Sequence, residues 1–205
     1  LVTARELASM GAEVILACRD TEKTAEALKV ISLKAIKPPI NLPVELSSLT
    51  SVRSVASNFL ERFDSLDVLI NNAGVFPSRQ QFTEDGFEMQ MGVNHLSHFL
   101  LTHLLLDCLK STNSARVISV SSTLHKKSSM DLDTFTGFTK YNASTAYNQS
   151  KLANVMFALE LAKRLKGTGV TSNVLHPGAV KTDIIRDLPW IVRAIIGLIF
   201  ISPEK

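Results

Sequence analysis

Cysteine is scarce: the 205 residues hold only Cys18 and Cys108. Two thiols give no disulfide framework, and neither falls in a metal-ligand spacing. Each is expected as a small buried apolar residue. There are five histidines. His95, His98 and His103 share a helical stretch, but no carboxylate or cysteine set completes a metal site with them, so no metal is expected. A dominant charge is missing too. Net charge is +3, and no basic run is interleaved with aromatics, which argues against nucleic acid as a partner. The first residue is Leu1, not Met, and residues 1–10 carry Arg5 and Glu6 and read as helix rather than as a secretory leader. The protein is therefore expected inside the cell, cytoplasmic or associated with an intracellular membrane, and not secreted. The longest apolar run, residues 188–202, is interrupted by Arg193 and falls short of the ~20 residues of a membrane span. A lid over an apolar substrate, a peripheral membrane contact and a packed helix all remain readings of it. There is no internal repeat and no low-complexity tract.

What is present is ordinary for a globular domain: 45% hydrophobic and 20% charged residues. The length suits one domain, residues 1–205, with a sizeable core. Apolar strand-like runs at 13–18, 42–46, 66–71, 115–121 and 170–176 alternate with helical patterns at 2–10, 21–32, 48–63, 87–109 and 143–165. The run at 13–18 reads as a buried strand, Pro43 places 42–46 near an edge, and 126–140 reads as a polar insertion. Such alternation predicts an α/β fold, a doubly wound parallel sheet with helices on both faces. Ligands in such sheets bind beyond the carboxyl ends of the strands. Arg19, Asn71 to Gly74, Ser121-Ser122 and Pro177-Gly178 all fall at those ends. A core strand has no need of polar residues and glycine at the same end each time.

One helical turn, Tyr147-Asn148-Gln149-Ser150-Lys151, carries the chemistry. Residues four apart lie on one helix face. A free Tyr, with a pKa of about 10, is a poor base at neutral pH. A nearby ammonium favours the phenolate and lowers that pKa. A Tyr tuned this way can exchange a proton with a carbinol or carbonyl oxygen. Alone, the spacing is equally that of a surface pair on an amphipathic helix.

The order Asn71-Asn72-Ala73-Gly74, Asn94, Ser121-Ser122, Tyr147-xxx-Lys151, Pro177-Gly178 resembles the short-chain dehydrogenases/reductases over nearly the whole chain. The stretches Thr83-Glu84-Asp85-Gly86-Phe87 and Gly92-Val93-Asn94-His95-Leu96 resemble the retinol-dehydrogenase-like branch. The resemblance implies a Rossmann-like fold and an oxidoreductase moving hydride between a nicotinamide cofactor and a small-molecule alcohol/carbonyl pair, expected to be apolar, retinoid-like or lipid-like. It implies Tyr147 as acid/base, Lys151 as the group that lowers its pKa and holds the nicotinamide ribose, Ser122 rather than Ser121 on the substrate oxygen, and Asn94 as anchor of a relay water. It places Asn71, Ala73 and Gly74 beside the adenosine, and Pro177, Gly178 and Thr182 near the carboxamide. Glu45 stands where the family commonly has an Asp near the adenine. Cys18 occupies the slot of the acid that binds a ribose 2′-hydroxyl, and Arg19 follows; an Arg there accommodates a 2′-phosphate, so NADP(H) is expected over NAD(H). The alternative for Arg19 is a solvated pair with Asp20. An extended-branch sugar epimerase shares Tyr-xxx-Lys but not Asn-Asn-Ala-Gly.

The chain departs from the family at its two ends. The family's first strand and the following Thr-Gly-xxx-Gly-x-Gly turn have no counterpart before the first helix, and Gly11 is the first glycine. The family also continues beyond Lys205. Truncation at both ends is therefore expected, with the family's first and last strands lacking, the sheet split, and the 13–46 half docking poorly. The second functional reading follows: a non-catalytic form without cofactor binding, acting if at all through its interaction surfaces.

Overall fold

A computed structural model describes residues 1–178. Helix α1 (Val2–Ser9) leads to β1 (Ile15–Cys18), α2 (Glu22–Ser32), β2 (Ile40–Pro43), α3 (Leu49–Leu60) and β3 (Val68–Asn71). Then come α4 (Met89–Met91), a π turn (Gly92–Leu96), α5 (Ser97–Leu104), α6 (Leu106–Lys110), β4 (Arg116–Val120), α7 (Ala143–Arg164) and β5 (Thr171–Leu175). The caps explain the boundaries. Thr21, Ser48 and Asn142 accept from the backbone N–H three residues on, at Thr24, Ser51 and Thr145, satisfying donors that a helix start leaves unpaired. Gly11, at φ 96°, closes α1: its N–H donates to Ala8 O and that of Ala12 to Leu7 O, each at 3.1 Å, the Schellman pattern that favours glycine.

All strand pairs are parallel, with helices flanking the sheets, which makes the architecture α/β and Rossmann-like. The sheet is split, as the missing first strand implies: β1 pairs with β2, and β3-β4-β5 form a separate sheet. Among the described residues no strand joins β1 to β3. In consequence β1 is not the buried strand its sequence suggests; none of its four residues is fully buried and Ala17 is exposed. On β3, Val68 is 38% exposed.

The 13–46 half nevertheless shares a buried cluster with the rest of the described residues. Val52, Val55, Ala56 and Phe59 of α3 pack with Leu101 and Leu105, and with Cys108 of α6, in one buried cluster that also takes in Leu42 and Val44. Helix packing, not strand pairing, joins the halves. A second cluster, Leu109, Ala115, Val117, Leu161, Leu165 and Val170, lies wholly within the β3–β5 half.

Two further expectations change. The single helix over 87–109 is broken by the π turn and again at Leu105. The 126–140 insertion contains a 3-10 turn, Leu132–Thr136, just after another at Thr123–Lys127, and it is tied down. Glu88 N donates to Phe135 O (2.8 Å), Phe138 N to Gln80 Oε1 (2.7 Å), and Asp131 N to Gln149 Oε1 (2.9 Å). Among the described residues, no helix is long and apolar enough to cross a membrane. Thr182 and the 188–202 run lie outside them.

Candidate active site

Helix α7 places the site. Its buried face is polar in the first half, with Gln149, Ser150, Lys151 and Asn154, and apolar in the second, with Ala158 and Leu161. The polar half faces the carboxyl end of β4. There Lys151 Nζ donates to Val120 O at 3.1 Å, and Ser121 Oγ donates to Lys151 O at 2.7 Å. The Lys151 ammonium lies 5.5 Å from the Tyr147 ring centroid, and Phe76, from the loop after β3, meets that ring edge-on at 5.2 Å.

The loop after β3 is fixed by Asn94. Its Oδ1 accepts from Val75 N at 2.7 Å, and its Nδ2 donates to Val75 O at 3.1 Å and to Ser150 Oγ at 3.0 Å. One buried amide thus ties the π turn, the Asn-Asn-Ala-Gly loop and α7 together. The π turn is what allows this: a widened turn displaces a side chain and a carbonyl from the regular helix ladder. The Asn94 carbonyl so freed accepts from Asn154 Nδ2 (3.0 Å) and faces His98 Nδ1 (3.1 Å).

The family model for the short chain dehydrogenases matches residues 1–189. The chain belongs to that family. Human retinol dehydrogenase 13 is 50% identical to it over 186 residues, covering 90% of this chain and 56% of that protein. Human retinol dehydrogenase 14 is 44% identical, with 96% of this chain and 63% of that one covered. The chain therefore spans somewhat over half the length of these relatives. Among solved structures, an uncharacterised protein of Mycobacterium paratuberculosis superposes with a TM-score of 0.77 at 38% identity, over 98% of this chain and 75% of that one. The Pseudomonas aeruginosa RhlG/NADP active-site complex gives 0.71 at 29% identity, over 89% and 69%.

Electrostatically, this short-chain dehydrogenase site is governed by burial. Loss of hydration pushes the Tyr147 phenol up to about 12 and the Lys151 ammonium down to about 8, since both charged forms lose water. The expected lowering of the Tyr147 pKa by Lys151 is not what this geometry gives, because the ammonium is turned toward Val120 O. Burial likewise lowers His98 to about 4 and depresses His95, which favours the neutral imidazole in each.

Asn94, Ser121, Ser122, Tyr147 and Lys151 thus gather at one end of β4 and α7. Ser121 is buried and engaged, whereas half-buried Ser122 accepts from Leu124 N at 3.3 Å, a bond that leaves its hydroxyl proton uncommitted. Ala73 and Gly74 lie in the loop that Asn94 anchors through Val75, and Pro177 and Gly178 follow β5. Asn71 is drawn inward instead: it is 2% exposed, and its Nδ2 donates to Thr102 Oγ1 at 2.9 Å. Arg19 stands apart on the β1–β2 sheet, with Nη1 4.0 Å from Glu45 Oε2. That makes Glu45 its ion-pair partner, where Asp20 was the expected alternative. These residues, with Asp20, Pro43, Val44 and Ser51, line an open cleft of about 270 Å³. Sequence reasoning missed Asn154, Ser150, His95 and His98. Asn154 had a signal: it continues the Tyr147–Lys151 face one turn on, at the seventh position after Tyr147.

Proposed function

We propose that the protein carrying this chain is an NADP(H)-dependent oxidoreductase acting on an alcohol/carbonyl pair of an apolar, retinoid-like or lipid-like small molecule. What supports this is the Lys151 ammonium, 5.5 Å from the Tyr147 ring centroid and bonded to Val120 O at the end of β4, directly before Ser121-Ser122. The donor set fits a nicotinamide nucleoside and a substrate oxygen: a phenol and an ammonium on α7 and a hydroxyl just after β4 lie toward the strand ends where such sheets bind ligands. The nicotinamide, when bound, supplies or receives the hydride at the substrate carbon. In reduction Tyr147 gives its proton to the carbonyl oxygen, and in oxidation it takes the hydroxyl proton. Ser122 donates a hydrogen bond to that oxygen. Lys151, released from Val120 O toward the ribose, brings positive charge to the phenol and offsets its burial. Asn94 holds the loop and the helix around them.

The preference for NADP(H) is supported by Arg19 over the open cleft, since a guanidinium suits a phosphate, and by the NADP named in the Pseudomonas relative. The apolar substrate is supported by the retinol dehydrogenases among the relatives. Alcohols and aldehydes of that kind would be its small-molecule partners, and the setting would be intracellular. The roles of Pro177, Gly178 and Thr182 near the carboxamide rest on the family motif. A second reading applies to the 205 residues by themselves. They hold no Thr-Gly-xxx-Gly-x-Gly turn to cradle a pyrophosphate and have a split sheet, which favours a form without cofactor binding.

Reduction of a panel of apolar aldehydes by the enzyme, with and without Tyr147→Phe, tests the first reading. The variant is expected to lose about 10²–10⁴ in kcat; unchanged turnover refutes it. Titrating the 205-residue chain with NADP(H) separates the second reading, which saturable binding would overturn.

A further inference from the structure

The carbonyl of Val120 receives two buried donors at once: Lys151 Nζ at 3.1 Å and Asn154 Nδ2 at 3.2 Å. Asn154 is 2% exposed, and every polar atom of its amide is engaged. Nδ2 also donates to Asn94 O at 3.0 Å. Two carbonyls can only accept, so the side of the amide facing them must be the NH₂, and its orientation is forced. Oδ1 then faces His95 Nδ1 at 3.1 Å, so His95 carries its proton on Nδ1 and donates it. His98 Nδ1, facing the carbonyl of Asn94, is protonated for the same reason.

We propose that Asn154 is a positioning residue for Lys151: by holding the Val120 carbonyl, it leaves the ammonium free to turn toward Tyr147 and the cofactor. Lysine ammonium has three donors and swings on a flexible stem. If Val120 O had no other partner, each excursion of Nζ would strand a buried acceptor, which is unfavourable. With Asn154 in place the carbonyl stays satisfied in both positions of the lysine. The same amide fixes the Asn94 carbonyl, so π turn, β4 and α7 keep one spacing while Lys151 moves. His95 locks the amide against flipping. This rests on the catalytic reading of Tyr147 and Lys151, but the titration below needs neither substrate nor cofactor, so it stands or falls separately from the Tyr147→Phe result.

The titratable groups facing Lys151 are Tyr147 on its own helix and His98 on α5; His95 of the π turn reaches it only through Asn154. In ¹³C-lysine-labelled 205-residue chain, the Lys151 resonance is assigned with Lys151→Arg and titrated in wild type, Asn154→Leu and His95→Phe. Asn154→Leu keeps the γ-branched shape, removes the donor and leaves Val120 O to the lysine alone, so the hydrogen bond to the charged lysine strengthens and its pKa rises toward the ordinary lysine value. His95→Phe only unlocks the amide and raises it less. A packing role alone would lower the melting temperature and leave the titration where it was. In the enzyme, Asn154→Leu is expected to lower kcat by roughly 10- to 100-fold with KM within about threefold, the pattern of a misplaced catalytic group. A Lys151 pKa unmoved in every variant that retains a cooperative melt overturns the proposal. If Asn154→Leu does not fold, His95→Phe decides on the same criterion.

Discussion

The two halves of the molecule are built by different means. Around β1 and β2, polar groups meet at the surface: Arg19 with Glu45 at 4.0 Å and Lys37 with Glu13 at 3.4 Å, in water, where such pairs contribute little. Around β3, β4 and β5, polar groups are in the core. Asn94, Ser150, Lys151 and Asn154 are all buried and bonded to one another or to backbone, where a lost partner is costly. The adenosine end of the proposed cofactor site is thus open to adjustment by single surface substitutions, and the catalytic end is not. The contrast also explains why the halves hold together without a shared sheet: α3 brings its apolar face to α5, and the polar work is left to α7.

The sharpest way to break this picture is at the helix contact. Phe59→Ala removes a buried aromatic from the cluster joining the halves and is expected to cost about 3–5 kcal/mol. Against a total of about 5–15 kcal/mol, denaturant titration should show either a much lower midpoint or two transitions. A change below about 1 kcal/mol, where surface substitutions fall, would mean that the β1–β2 half hardly depends on α3.

The buried half should also show itself in acid. His98 is lowered from 6.5 to about 4 by burial. The unfolded chain binds this proton first, so the stability it contributes is complete above pH 6.5 and is lost as pH falls toward 4. The shift corresponds to about 3 kcal/mol. His98→Asn, which retains a donor for Asn94 O, should flatten the fall in stability across that window; an unchanged slope would place the acid sensitivity elsewhere. Glu88, raised by burial, runs with opposite sign near its own pKa and is the same in both proteins.

At the surface the effects are small and selective. Arg19→Asp is expected to change stability by less than about 1 kcal/mol, since it breaks only an exposed pair. In the enzyme it should weaken NADP(H) by about 10- to 100-fold relative to NAD(H), as loss of one charge-assisted contact of roughly 1.5–3 kcal/mol implies. Equal losses for both cofactors would show that Arg19 does not read the 2′-phosphate.

Much of this was legible in the chain. The parallel α/β order followed from alternating apolar runs, and the candidate site was read from Tyr147, Lys151, Ser122 and Asn94 standing at strand ends or on one helix face. The helices beginning near Thr21 and Ser48 followed from their helical patterns. What stayed hidden depended on contacts between distant segments. The π turn follows from what Asn94 binds at Val75 and Ser150, not from the propensities of residues 92–96. The exposure of Ala17 depends on which strand lies beside it. Asn154 reads locally as a mediocre helix residue, and only the carbonyls of Val120 and Asn94 give it a purpose. The upward displacement of Tyr147 was missed because sequence gives the spacing to Lys151 but not the direction of its ammonium.

The π turn sets the phase of everything after it. An α-helix advances about 100° per residue, so the additional residue taken up between Gly92 and Leu96 rotates α5 by roughly that angle relative to α4. Leu101 and Leu105 meet α3, and His98 faces Asn94 O, only in this phase. Deleting one residue here would restore a regular helix and swing those side chains off their targets together. The one additional residue therefore both turns the Asn94 carbonyl toward Asn154 and aligns the seam that joins the two halves.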